Sequence, residues 1–394
     1  MSQRKGKGRF PSFLHLLDEM GHPEKEFKII HVAGTNGKGS CVTYLRDGLM
    51  ALGYKVGTLQ SPHYRTHLDR IRVDGEDISE DAFLRILNKN YDFFVKNDLN
   101  MFEMDYLIMC EYFKEEACDF VITEVGMGGR LDSTNVVRDP LLSIIVTIGY
   151  DHMEVLGDTL EKITHEKCGI IKDDSAVLVG DLKKELKDIV KEEAKIHHAR
   201  YFETLAYKDE GLRKFSYRDE EYELYSYADY QKHNASVALE ALYILANEGL
   251  VHFDHAKIAS AFKKTVWQGR FEIIHEDPLV IIDGAHNIDG MRALIASIKK
   301  INMPKAVLFS SIEAKEYDKM LRLLKEEVEE IVLTRFMSPK GLFRIEDEAE
   351  DLHLKRIDDL KEAYNYLYDR YPCIIICGSL YFLSEFIEKV DYAR

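Results

Sequence analysis

Residues 31–40 read HVAGTNGKGS, and the reading of that stretch decides the fold. Glycines closing on a lysine and a hydroxyl residue mark a phosphate-binding loop, whose usual spacing is G-x-x-x-x-G-K-[ST]. Here Val32 stands where the first glycine should be, and Gly39 separates Lys38 from Ser40, so the hydroxyl comes two places after the lysine. The apolar run FKIIHVA (27–33) precedes the loop and a helical pattern, Ser40–Leu52, follows it. That is the strand–loop–helix setting the motif requires. In it the amides of Thr35, Asn36, Gly37, Lys38 and Gly39 can point into one concavity, Lys38 can reach β- and γ-phosphates, and Ser40 can meet Mg2+ at the helix start. A plain glycine turn with a serine cap is the alternative for the same letters.

Outward from the loop, short β-rich runs alternate with helical patterns. YKVGTLQ (54–60), DFVITEV (119–125), LLSIIVTIG (141–149) and SAVLVG (175–180) are separated by segments such as 79–97. The alternation predicts an α/β fold, a central parallel sheet with crossover helices. Residues 200–227 read as a small antiparallel meander, with helices over about 229–264. A second series, PLVIIDG, KAVLFSS, EIVLTRF and PCIIICGS, with helices near 287–300, 315–328, 357–369 and 380–391, predicts a smaller Rossmann-like α/β domain. The boundary is expected near Gly269–Glu272, giving domains 1–270 and 271–394.

The chain has 394 residues, 46% hydrophobic and 31% charged, enough for two cores. A net charge of −16 argues against nucleic acid as the main ligand, because phosphate backbones are bound by basic surfaces. A phosphorylated small molecule needs only a local positive site. The six cysteines lack metal-ligand spacing, and Cys373 and Cys377 flank III in a buried strand, where cysteine acts as a small hydrophobe. The start MSQRKGKGRF is basic but no signal-length apolar run follows, and no run is long enough to span a bilayer. A cytoplasmic protein that does not use membranes is expected.

Strand ends carry the remaining candidates. TEVGMGGRLDSTN (123–135) sets Glu124 at the C-terminal end of a strand, where ligands collect in open α/β sheets. TIGYDHMEVLG (147–157) brings Asp151 and His152 to the same edge. With Ser40 near, such groups suggest a metal site, and hard oxygen donors favour Mg2+. HEKCGIIK (165–172) places Lys167 and Lys172 near a helix end, where a pair of capping cations is the plainer reading. IIDGAHN (281–287) repeats the strand-end pattern with Asp283 and His286, although an ordinary strand-to-helix turn explains the letters equally well. The acidic run KEEVEE (325–330) reads as a solvated helix face.

Taken together, HVAGTNGKGS, SPH (61–63), EVGMGGRLDSTN, IGYDHMEVLG, EKCGIIK, QKHNA (231–235), WQGRFE (267–272), DGAHN and GSLY (378–381) resemble, in the same order, the folylpolyglutamate synthase and dihydrofolate synthase family, a branch of the Mur ligases. The resemblance implies an ATP-dependent ligase that joins L-glutamate to a folate or to dihydropteroate through an acyl phosphate. ATP and two Mg2+ ions are the implied cofactors, small molecules the only partners, and a monomer the expected state. Lys38 and the loop amides would hold phosphates. Ser40, Ser61 and Glu124 would hold one ion, and His152 a second together with Lys167, which the family carbamylates. Asn234, Arg270, Asp283 and His286 would serve the nucleotide, the last as a catalytic group with Lys38 and Lys167. Phe102, Glu103, Arg130 and Asp132 correspond to the pterin side. Departures are Asp69 in HLDRI, where the family has glutamate, Cys168 for alanine, and SSIEAKEYDKM (310–320), which matches the second domain loosely. Two other readings stay open, a Mur-type ligase acting on another acid such as a cell-wall precursor, and a nucleotide-binding regulator that performs no ligation.

Overall fold

The computed structural model describes residues 10–312, 317–338, 341–343 and 352–391. The basic start over 1–9 and residues 313–316 of SSIEAKEYDKM lie outside the described residues. The chain divides into two compact units: the first takes the described residues of Met1–Asp209 with Phe215–Glu223 and His233–Thr265, the second Glu210–Lys214, Leu224–Lys232 and those of Val266–Arg394.

The first unit is built on eight strands: β1 (Ile29–Ala33), β2 (Val56–Leu59), β3 (Ile71–Val73), β4 (Glu76–Asp77), β5 (Phe120–Glu124), β6 (Leu142–Ile145), β7 (Ala176–Val179) and β8 (Arg200–Glu203). Their order is β4-β3-β2-β5-β1-β6-β7-β8. From β2 to β8 the neighbours run parallel, while β3 and β4 are antiparallel additions at one edge. Strands β1, β2, β5, β6 and β7 are buried along their whole length. Burial on both faces explains why they read as continuous apolar runs rather than alternating ones.

One sequence expectation needs correcting here. Residues 200–227 are not a single meander, because β8 pairs in parallel with β7 as the last strand of the large sheet. Only β9 (Lys208–Asp209), β10 (Lys214–Tyr217) and β11 (Glu220–Glu223) form the separate small sheet. The β3–β4 hairpin was also not foreseen. Its turn, Asp74-Gly75, has both residues at positive φ, 52° and 86°, which is what a two-residue hairpin needs.

Helices cover both faces. Phe13, Leu17, Ile86, Tyr106 and Phe113 pack with Ile29, Leu59 and Val121 in one cluster. Cys168, Ile170, Leu186 and Val190 pack with Ala33, Ile145, Val177 and Val179 in another.

The second unit has a sheet ordered β12-β13-β19-β14-β15-β18, from β12 (Glu272–Glu276), β13 (Leu279–Asp283), β14 (Lys305–Phe309), β15 (Glu330–Leu333), β18 (Lys355–Arg356) and β19 (Cys373–Cys377). Strands β16 (Phe336–Ser338) and β17 (Gly341–Phe343) pair with each other. All neighbours in the larger sheet are parallel except β12, which runs antiparallel to β13. No helix among the described residues is long and apolar enough to cross a membrane. The six cysteines are free thiols.

Candidate functional site

In the first unit, β1 lies between β5 and β6, so the phosphate loop leaves the middle of a sheet whose parallel strands all end at one edge. The helix after the loop runs Lys38–Ala51, with Gly37 at its N-cap at φ 81°. A side chain at Gly37 would be strained by that backbone and would also press on Asn234, whose Oδ1 lies 2.3 Å from where a Cβ would stand. Asn234 is therefore at the loop. The first helical bond is Cys41 N–H to Gly37 O, so the amides of Lys38, Gly39 and Ser40 precede any intrahelical partner and form the anion-binding end of the helix.

The structure narrows the expected amide cradle. Thr35 N–H is spent on Thr147 O at 2.9 Å, and Asn36 N–H on the Thr147 hydroxyl at 2.9 Å. Two of the five amides assigned to phosphate are thus already bonded to the segment after β6. Lys38 Nζ folds back on Gly34 O at 3.1 Å and Thr35 O at 3.4 Å, and stands 4.0 Å from Glu124 Oε1. Glu124 ends β5, where its Cα partners Val32 of β1, and is 6% exposed. Ser40 is buried in the first turn of the helix.

Ser61 precedes a cis peptide to Pro62. Its Oγ, Asp132 Oδ2 and the ring edge of Phe102 all lie within 3.5 Å of where a Cβ on Gly126 would stand. Three expected residues from distant segments thus meet at Gly126. Phe102 is 41% exposed, with the Arg70 guanidinium 4.8 Å over its ring.

Other pterin-side candidates are engaged in holding the fold. Glu103 closes a capping box, accepting Asn100 N–H at 2.8 Å while Asn100 Oδ1 accepts Glu103 N–H at 3.1 Å. Asp132 accepts Thr134 N–H and its hydroxyl on one oxygen and Met127 N–H on the other, with Gly126 N–H as a further donor. A carboxylate has about four acceptor positions, so these are filled from within its own loop. Arg130 donates to His165 O at 3.0 Å and its amide to Glu166 O at 2.9 Å, bracing the helix Leu160–Cys168 that carries Lys167. The two backbones touch. A Cβ on Gly169 would stand 2.4 Å from Arg130 Cα, and one on Gly129 2.8 Å from Glu166 O. Gly169→Ala is therefore expected to destabilise the protein by about 1–3 kcal/mol, as overpacking does, measured by urea unfolding; an unchanged midpoint would contradict this docking.

Lys167 is 3% exposed. Burial, and then the charge of Lys38, pull its amine down to about 7, against the opposing effect of Asp151 and Asp132. Lys172 behaves as a capping cation, donating to Asn135 O and Gly169 O at 3.3 and 3.4 Å. His152 sits at φ 50°, its amide bonded to Asp151 Oδ1 at 2.9 Å, and its side chain is 38% exposed. Among the described residues, no three His, Cys, Asp or Glu side chains gather into a metal-holding group.

Sequence reasoning missed His31. Fully buried on β1, its Nε2 lies 2.8 Å from Thr134 Oγ1, whose own proton goes to Asp132 at 2.6 Å. The imidazole must therefore donate. Burial, reinforced by Lys172, pushes its pKa down to about 3 from 6.5. Between these values the unfolded chain binds the extra proton, so this contribution to stability is intact above pH 6.5 and is lost as pH falls toward 3. His31→Gln, which keeps a donor, is expected to lose less stability than wild type between pH 7 and pH 4 in urea titrations. Parallel losses would contradict a neutral buried His31.

In the second unit Asp283 ends β13. Its Oδ2 accepts Phe271 N–H at 2.9 Å and the Tyr230 hydroxyl, and its Oδ1 accepts Ala285 N–H at 2.8 Å. The Arg270 guanidinium packs on Gly284, with Nη1 2.0 Å from where a Cβ would stand. His286 Nδ1 is 2.8 Å from Gly284 O, and Asn287 caps the helix Ile288–Ile298 by accepting Gly290 N–H. The turn is thus an ordinary strand-to-helix connection as well as the holder of the expected side chains.

Comparison with known proteins gives two successive family matches. The Mur ligase middle domain matches residues 32–248 and the Mur ligase glutamate ligase domain matches 269–380. The chain is 33% identical over 98% of its length to the dihydrofolate synthase/folylpolyglutamate synthase of Bacillus subtilis strain 168, covering 95% of that protein. The chain belongs to the folylpolyglutamate synthase/dihydrofolate synthase family. The Escherichia coli K12 member is 31% identical, with 93% of this chain and 87% of that protein covered. Among solved structures of the family, a Yersinia pestis bifunctional enzyme superposes with a TM-score of 0.85 at 25% identity, covering 98% of this chain and 95% of that one. A folylpolyglutamate synthase bound to AMPPCP and folate superposes at 0.81, with 27% identity and 98% and 95% covered. A family member bound to Mn, AMPPNP and L-glutamate superposes at 0.84, with 26% identity and 98% and 94% covered.

Proposed function

We propose that this protein is an ATP-dependent ligase that attaches L-glutamate to a folate, to dihydropteroate, or to both, by way of an acyl phosphate. One observation carries the reading: Lys38, on a phosphate-loop helix, stands beside the strand-end carboxylate Glu124, with Ser61 and Phe102 meeting at Gly126 in the same unit. The relatives named for this reaction are similar over nearly the whole chain. A carboxylate is a poor electrophile, so phosphorylation of the acid precedes attack by the amine of glutamate. Lys38 and the amides of Lys38, Gly39 and Ser40 hold the phosphates, and Phe102 offers its open face to a flat ring. Glu103, Arg130 and Asp132 support this side by holding its loops.

Magnesium fits the residues present. The hydroxyls of Ser40 and Ser61 and the Glu124 carboxylate are hard oxygen donors, from the first turn of the helix after β1, the segment after β2 and the end of β5. When bound, the ion supplies positive charge against the phosphates. A second ion, at His152 and Lys167, requires the lysine to change sign. A Lys167 amine near pKa 7 is substantially neutral at physiological pH, which is the form that reacts with CO2, and the carbamate would be an anion. Arg270, Asp283 and His286 are assigned to the nucleotide, with Asp283 acting through the turn it organises. The domains 1–270 and 271–394 then correspond to ATP-binding and glutamate-ligase parts, in a monomer of the cytoplasm.

Incubation with ATP, Mg2+, labelled glutamate and either dihydropteroate or tetrahydrofolate is expected to give labelled glutamyl product with at least one acid. Product with neither would reject the reading. His286→Ala should slow phosphoryl transfer in rapid-quench experiments; an unchanged rate would remove His286 from the catalytic set.

A further inference from the structure

We infer that Thr147 is a positioning residue for the phosphate loop, joining it to the segment that carries Asp151 and His152. The inference rests on the reading of residues 34–40 as a nucleotide loop. Two short stretches more than a hundred residues apart are tied by five hydrogen bonds. The Thr147 hydroxyl accepts Asn36 N–H at 2.9 Å and donates to Asn36 O at 2.8 Å. Thr147 O accepts Thr35 N–H at 2.9 Å. The Thr35 hydroxyl accepts Gly149 N–H at 2.9 Å and donates to Gly149 O at 3.1 Å. Each hydroxyl gives its one proton and receives another, so the backbone N–H and C=O of Asn36 and of Gly149 are each bonded to a side chain from the opposite segment.

The clasp has two consequences. It fixes the two peptide planes that flank Asn36, and with them the direction in which Gly37, at φ 81°, turns the chain into the helix whose first amides would receive the phosphates. It also fixes Gly149, two residues before Asp151, relative to Lys38. A nucleotide site gains rate from groups held in place before the ligand arrives, and a displacement of about 1 Å can cost a hundredfold. The clasp does this holding for the loop. Thr147 needs no contact with ATP to act in this way.

The test is Thr147→Val, which keeps the shape and removes the hydroxyl, beside Thr147→Ser, which restores it. In the full chain, Thr147→Val is expected to raise the KM for ATP by about tenfold or more, leaving the KM values for the acid and for glutamate within about twofold, with Ser close to wild type. Hydrogen exchange should show Asn36 N–H protected in wild type and in Ser, and exposed in Val. An ATP KM unchanged in Val while Lys38→Ala is disabled would overturn the inference alone. A rise in all three KM values that Ser does not rescue would overturn it too, by making the role structural. Normal ATP kinetics in Lys38→Ala would remove the nucleotide reading together with the inference. If Thr147→Val does not fold, Thr147→Ala is read the same way, and Thr35→Val cuts the other half of the clasp, with the ATP KM as its kinetic readout and Gly149 N–H as the amide expected to be exposed.

Discussion

Lys167→Ala is expected to lose activity by at least about a hundredfold, the scale seen when a preorganised charge is removed from a reacting centre, and to recover part of it when formate or acetate is added. The reason is the sign of the charge. An ammonium at this buried position, 3% exposed, would repel a metal ion, whereas a carbamate would attract one; a small carboxylate fits the space the lysine leaves. Lys167→Gln fills that space without a charge and should gain nothing from added carboxylate. Steady-state turnover of the two variants with and without acetate checks this. An active Gln variant, together with an unmodified ammonium in a metal-loaded crystal, would reject the carbamate.

Without CO2 the same lysine predicts a stability profile. Burial pulls its pKa in the folded chain down to about 7 from the ordinary 10.5. Between those values the unfolded chain binds more protons, so the destabilising effect of burying the charge is full below pH 7 and fades as pH rises toward 10.5. Lys167→Met in CO2-free buffer should therefore gain more stability over wild type at pH 6 than at pH 9.

Lys38→Ala should lower turnover by about two orders of magnitude or more, with little change in melting temperature. Its side chain is 16% exposed, and its ammonium donates to carbonyls of the loop itself and stands near Glu124. Its value is therefore in neutralising charge that grows on the transferring phosphoryl group. Turnover and differential scanning calorimetry of the purified variant check both halves. A soluble variant with normal turnover would remove the loop from catalysis.

The parts of this fold that can be read from the chain are those in which local chemistry and tertiary role coincide. Strands β1, β5, β6 and β7 announce themselves because burial on both faces demands unbroken apolar runs. The loop at 34–40 does so because only glycine fits at Gly37. By contrast, β8, RYFE, carries no mark of the sheet it joins: its partner is set by the crossover helix that precedes it. The edge strands β3 and β4 are three and two residues long, too short for any period, though Asp74-Gly75 was a usable turn signal.

Residue type marks candidates for the site but not their hydrogen bonding. Glu124 stands at its strand end, Lys38 in its loop, and Ser61, which only the family resemblance named, beside Gly126, whereas Asp132 and Asp283, candidates in the sequence, each accept several nearby amides and hydroxyls, and Glu103 accepts the Asn100 amide. Asp69, the departure from the family glutamate, is of the same kind, accepting the amides of Tyr64, Arg65 and Thr66. Hydrogen-bond partners separated by 111 residues, as Asn36 and Thr147 are, leave no periodicity to find.

The central claim is that the carboxylate of the acid is phosphorylated by ATP before glutamate attacks it. The most direct measurement places a heavy-oxygen label in the carboxylate of dihydropteroate or of tetrahydrofolate, supplies ATP, Mg2+ and L-glutamate, and follows the label by mass spectrometry. The account expects one labelled oxygen to appear in inorganic phosphate for each glutamate joined. Amide product formed with unlabelled phosphate, or phosphate released at the same rate without any acid, would contradict it.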